Sequence, residues 1–281
     1  MSNTSITSRD SQGEQLVRFF EAWLNKANIQ PGDEAQYLIG KGDVLKKEWT
    51  ATCNRILAGF PLACDAAQKI LGNNFWGFED WQTIPGVTVA KEQLTQVGKF
   101  PWGETVLNGP CPFHPGKKVS ETHFAFLGIE GLDAKRPLTI RGFQDLFPAS
   151  GQPRFYSYDN DSWYRNEEFA NKPTCGLRWY LMLRGIIPGS ENKTWDEQQS
   201  LVPPEYEVPT PVADVAKHLL CRKKTGQDVN LGRYGRTDTL DSDGSRVGVG
   251  RCDAEGLHVN DYWDGRRYVR IGLSASRKSG V

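Results

Sequence analysis

The side chains best suited to chemistry are scattered singly along the chain, and their spacing limits what they can do. Cys111 and His114 in CPFHP form a C-x-x-H pair, and His123 and Cys175 are available to complete a four-ligand zinc site. Zinc sites of this type repeat their short spacing. No second close pair exists, so a turn from Pro110 to Gly116 with a buried thiol explains the same letters better. Asp159, Asn160 and Asp161 in YDNDSW, and Asp238, Asp241 and Asp243 further on, carry oxygens suited to calcium. Both runs read more simply as turns, and Asp243-Gly244 is a hairpin signal. His218 is a lone histidine on an expected helix, read as an interior or boundary group. No G-x-S-x-G, phosphate loop, H-E-x-x-H or dinucleotide fingerprint occurs. The expectation is a protein without catalytic residues, metal ligands or cofactor.

The elements that would carry these groups change character along the chain. Leu16, Phe19, Phe20, Trp23, Leu24 and Ala27 fall on one face of a helix over 14–27, after a polar tail over 1–13 that is expected to be disordered. Asp43 to Leu57 repeats the helical pattern, and Ala63 to Leu71 offers a third helix stopped by Gly72 and Asn73. Beyond these come short apolar runs such as GVTVA and THFAFLGI between turn signals, which puts a boundary near 73–95. The proline-rich PPEYEVPTP then leads into one late helix over Val212 to Lys223. The expected organisation is a mostly helical segment over 14–95, packed on a main domain over 96–281.

Charge and cysteines exclude whole classes. Lysine plus arginine and aspartate plus glutamate both number 34, so no net field exists to hold nucleic acid or an anionic membrane. No apolar run approaches the ~20 residues of a spanning helix, and the beginning of the chain lacks a signal-peptide pattern. The reading is a soluble protein with no membrane insertion, cytoplasmic by default. The six cysteines are widely spread in a chain too long to need stapling, which favours reduced thiols.

The last forty-odd residues alternate with a period of two. Val247 and Val249, Leu257 and Val259, and Ile271, Leu273 and Ala275 mark half-buried strands. Between these anchors stand Gly248, Gly250, Arg251, Cys252, His258, Asn260, Asp261, Tyr262, Gly265, Arg266, Tyr268, Val269 and Arg270. They share no common chemistry, whereas catalysis needs particular groups in fixed roles. The pattern is that of a scaffold holding its strand positions and leaving the intervening ones free.

From about Gly98 onward the chain resembles the C-type lectin-fold variable proteins of diversity-generating retroelements. The resemblance is carried by KFPWGETVLNGPCPF, ETHFAFLGI, RPLTIRG, RFYSYDNDSWYRNEEFAN, NKTWDEQ, YEVPTPV and above all the tail DSDGSRVGVGRCDAEGLHVNDYWDGRRYVRIGLSASRK. It implies an α+β protein with a C-type lectin-like, formylglycine-generating-enzyme-like domain and a variable region at about 245–271. The thirteen intervening residues would be positions rewritten by adenine-directed mutagenesis, where NNY codons exclude Lys, Glu, Gln, Met and Trp; none of the thirteen is one of these.

The implied function is binding of an unknown protein or surface ligand through a hypervariable face. Three arginines against one aspartate give that face a mild positive lean. Trp263 is assigned to the frame beneath the variable surface, with Asp264 bonding Arg267 or a loop amide. The terminal strand is expected to pair with a strand near the domain's start. The alternatives are a metal-dependent enzyme of the same fold, for which Cys252 is the only C-terminal thiol in place, and a structural or adhesion subunit.

Overall fold

The computed structural model describes residues 11–27, 32–58, 61–87, 97–133, 135–158 and 161–279. The chain is a mixed α+β protein that divides into two compact units, Met1–Ile56 and Leu57–Val281. This division precedes the compositional change at 73–95. The reason is that Ala67, Leu71, Phe75 and Trp76 are buried in the same core as the main sheet. No helix among the described residues is long and apolar enough to cross a membrane.

The smaller unit contains α1 (Ser11–Lys26), α2 (Asp33–Gly40) and α3 (Gly42–Ala58). α1 begins three residues before the expected start, and residues 1–10 of the expected tail lie outside the described residues. Phe20 meets Trp23 and, edge-on, Trp49, with ring centroids 5.5 and 5.6 Å apart, so aromatic contacts join α1 to α3.

In the larger unit, α4 (Cys64–Leu71) precedes a five-stranded sheet. Its strands are β1 (Phe75–Trp76), β2 (His123–Leu127), β3 (Trp179–Leu183), β4 (Tyr206–Glu207) and β9 (Ser276–Arg277), in the order β1-β2-β3-β9-β4. HFAFL and WYLML are buried at every position, as a sheet covered on both faces requires. The second sheet holds β5 (Tyr234–Leu240), β6 (Arg246–Gly250), β7 (His258–Tyr262) and β8 (Ile271–Leu273), in the order β7-β6-β5-β8. The expected Asp243-Gly244 turn joins β5 to β6, with Gly244 at φ +80° where a side chain would be strained. Of the expected GVTVA run, residues 88–90 lie outside the described residues.

Helix α5 (Pro211–Thr225) contacts strands of both sheets, and every residue from Pro211 to Cys221 is buried. Its ends follow from local chemistry. Pro211 fits the first turn, Arg222, Lys223 and Lys224 face the negative helix end, and Gly226 at φ 74° donates its N–H to the Arg222 carbonyl. Inside, Lys217 Nζ stands 2.6 Å from Asp214 Oδ1, both side chains fully buried, and Ser274 Oγ donates to the other carboxylate oxygen at 2.7 Å.

The terminal segment differs from the expected pairing. β9 lies between β3 and β4, with Ser276 opposite both Met182 and Glu207, so it pairs with mid-chain strands and not with one near the domain's start. Just beyond it, the Lys278 carbonyl accepts a hydrogen bond from Trp102 Nε1 at 2.9 Å, which ties the terminal segment to the domain's start. β8 pairs in parallel with β5 just before, so residues 271–277 tie the two sheets together.

Candidate binding surface

The β6–β7 hairpin separates its residues by face. Val247, Val249 and Val259 are fully buried in the core, and Leu257, Ile271, Leu273 and Ala275 are as well, as the alternation predicts. On the other face the register sets Gly250 opposite His258, Gly248 opposite Asn260 and Arg246 opposite Tyr262. A strip of rings runs across this face. His258 stacks on Tyr156 at 4.1 Å, Tyr234 stands 6.3 Å from His258 and 5.7 Å from Tyr262, and the Tyr262 ring lies over Gly248. Beside Tyr156 opens a cleft of about 220 Å³ whose lining includes Arg141, Gln144, Phe155, Asp161 and Ser162.

After β7 the chain enters the loop 263–270, whose shape is held by side chains from elsewhere. The fully buried Arg236 of β5 donates Nη2 to the carbonyls of Trp263 (3.1 Å) and Arg266 (2.8 Å). Its Nη1 donates to Gln198 Oε1 at 2.9 Å and the Lys193 carbonyl at 3.2 Å. Arg246 grips Asp264 with two hydrogen bonds of 3.0 and 3.2 Å while its guanidinium stacks 3.8 Å from the Trp195 ring. Backbone N–H groups of Trp195 and Asn192 donate to the carbonyls of Asp264 (2.9 Å) and Tyr268 (3.1 Å). Arg267 donates to Glu197 Oε1 at 2.7 Å. The Thr194 amide and then Arg267 hold the Glu197 carboxyl down at about 2.

Several expected site residues take other places. Trp263 does not pack beneath the surface: it is 60 % exposed, lying over Gly265, because the loop turns its backbone and not its ring toward Arg236. Asp264 pairs with Arg246, and Arg267 with Glu197, so the two do not meet each other. Cys252 is 1 % exposed within the core, and desolvation pushes its thiol up to about 12. Gly250 is buried, and a Cβ there would stand 2.0 Å from the Arg233 carbonyl, so no side chain fits. His258 is 7 % exposed, and burial lowers its pKa.

Gly248 is buried as well, beneath the Tyr262 ring, 3.1 Å from where its Cβ would stand; the other nominated residues lie further toward solvent. Arg251 has φ 53° and is tied to Asp253 at 3.0 Å and Glu255 at 2.8 Å. Asp261 is exposed and sits opposite Val247, on the face that Asn260 does not share; burial, then Asp241, raises its carboxyl pKa. Arg266, Tyr268, Val269 and Arg270 are exposed together in the loop. The holding residues Arg236, Arg246, Trp195 and Glu197 were not among those nominated. The one signal for them was a strand, YGRTDTL, with arginine at an inward position.

The suggested zinc set does not assemble. His123 is enclosed by the Thr122 and Tyr206 hydroxyls at 2.9 and 3.0 Å, and burial holds its pKa near 3. Cys111 packs with Phe113 and Tyr206, whereas Cys175 Sγ donates to the Val212 carbonyl. Among the described residues no three His, Cys, Asp or Glu side chains form a group that could hold a metal ion. Asp159 and Asn160 lie outside the described residues. His218 is buried on α5, its Nε2 3.2 Å from Asn230 Nδ2. A larger cavity of about 340 Å³, between Cys64, Phe75, Asp80 and Trp179, contains none of the nominated residues.

No family model matches the chain, and neither a curated protein nor a solved structure is significantly similar to it.

Proposed function

We propose that the larger unit is a C-type lectin-like binding module, the variable protein of a diversity-generating retroelement, and that it captures a protein partner without catalysing a reaction. The observation that carries this reading is the division of labour in the C-terminal region. Val247, Val249 and Val259 are fully buried, while Asn260, Tyr262, Arg266, Tyr268, Val269 and Arg270 stand on or beside the same sheet and reach solvent. Replacing such outward side chains shifts stability by under about 0.5 kcal/mol, whereas core changes cost several times more. A fold of this kind tolerates exchange of its surface letters.

On this reading Cys252 and Gly250 belong to the scaffold, because one is packed in the core and the other has no room for a Cβ. Sequencing the DNA around the gene tests the proposal. The expected result is an adjoining reverse transcriptase and a near-copy of the terminal coding segment that differs at template adenines. A neighbourhood lacking both overturns it.

A further inference from the structure

Resting on the reading that this face binds a partner, we infer that the loop 263–270 is a pre-set contact for an acidic protein segment, with the Trp263 indole seated in an apolar hollow of that partner. The arginines around the face sort into two groups. Arg236 is buried among carbonyls, Arg246 holds Asp264, Arg251 holds Asp253 and Glu255, Arg267 holds Glu197, and Arg233 holds Glu191. Arg266 and Arg270 have no carboxylate partner among the described residues. Both are exposed, and Arg266 lies over the Tyr268 ring, 5.8 Å from its centroid. Two uncompensated cations thus share a rigid loop with an indole 60 % exposed, a valine 63 % exposed and a phenol 39 % exposed. Tryptophan, tyrosine and arginine are the residue types that dominate binding hot spots, and a loop already held in place loses little freedom when it binds.

The sheet is also polarised from end to end. The 241–245 turn carries Asp241 and Asp243 at the end where β7 finishes, with Asp261 beside it on the opposite face from Tyr262, so the loop leaves the acidic end of the sheet at Trp263 and reaches Arg270 beside Tyr234. A partner segment with its apolar residue at Trp263 therefore finds its carboxylates matched on the Arg266–Arg270 side and repelled on the other. The same acidic end disfavours a continuous polyanion such as nucleic acid.

Panning a displayed library of random short peptides against the full chain tests this, with Trp263→Ala and the pair Arg266→Glu, Arg270→Glu as comparators and a single-stranded DNA oligonucleotide as a control probe. The exposed side chains changed here leave the melting curve in place, which circular dichroism verifies. The expected result is enrichment of peptides with aspartate or glutamate beside an aromatic or aliphatic residue. Recovery should fall about ten-fold or more on either variant, and the charge-reversed pair should select basic peptides instead. Peptides that need Trp263 but carry no acidic bias, or that ignore Arg266 and Arg270, overturn the inference and leave the binding face standing. Binding of the oligonucleotide through the same arginines also overturns it. Failure of every enriched peptide to depend on this face overturns both.

Discussion

Helix α5 and the loop 263–270 satisfy the same backbone demand in opposite ways. In α5 the main chain bonds to itself, so its side chains are free to be specialised for packing, and all of them from Pro211 to Cys221 are buried. In the loop the carbonyls of Trp263, Asp264, Arg266, Tyr268 and Arg270 are met by groups from β5 and from residues 192–195. Apart from Asp264 and Arg267, which pair with Arg246 and Glu197, the loop's own side chains are consequently not needed to hold its shape. A surface can be rigid and chemically open at once when its conformation is imposed from beneath.

This contrast assigns sizes to substitutions. Lys217→Ala leaves the Asp214 carboxylate buried with only the Ser274 hydroxyl, and is expected to cost about 3–5 kcal/mol in urea unfolding. Replacing both partners, as Asp214→Leu with Lys217→Met, should recover most of that loss; equal damage from single and double changes would mean that the pair is not the cause. Arg236→Met strips hydrogen bonds from the buried Gln198 Oε1 and from three part-buried carbonyls and is expected to cost about 2–3 kcal/mol, while also freeing the loop. Faster amide hydrogen exchange over 263–270, with α5 unchanged, is the signature to look for.

Acid should lower stability through the interior histidines. Burial holds the His218 pKa well below its ordinary value and the His123 pKa near 3. The folded chain therefore stays unprotonated at these sites while the unfolded chain takes up protons below about pH 6.5. Their contribution is flat above that pH and falls by about 1.4 kcal/mol per pH unit for each histidine as pH drops toward its folded value. His123→Gln should reduce the slope of stability against pH between 6.5 and 5; an unaltered slope would remove His123 from the account. The smallest effect belongs to the loop's outward residues. Arg266→Ala, Tyr268→Ala and Val269→Ala are each expected to change stability by under about 0.5 kcal/mol, and a larger loss in thermal melts would make them structural.

Much of the framework was legible from local periodicity. Helices expected over 43–57 and 212–223 are found at Gly42–Ala58 and Pro211–Thr225, and the alternate valines of the tail are buried as read. The candidate face was legible in part. His258, Asn260 and Tyr262 do share a side of β7, but Cys252, which follows β6 without a strand partner, turns inward. Trp263 turns outward although its size suggests a core role. The register of the terminal strand was also misplaced, because its neighbours, Met182 and Glu207, are brought together by long-range packing that no local pattern encodes.

Period and composition set the helices, the strand faces and the neutral charge of this chain, because each depends on neighbours a few residues away or on simple counts. The direction of each loop side chain, the grip of Arg236 and Arg246, and the two loop arginines without a carboxylate among the described residues arise from contacts between residues 18 to 30 positions apart or more. Such contacts form once the sheets have closed around α5, since the geometry that makes a hydrogen bond across that separation does not exist in the unfolded chain.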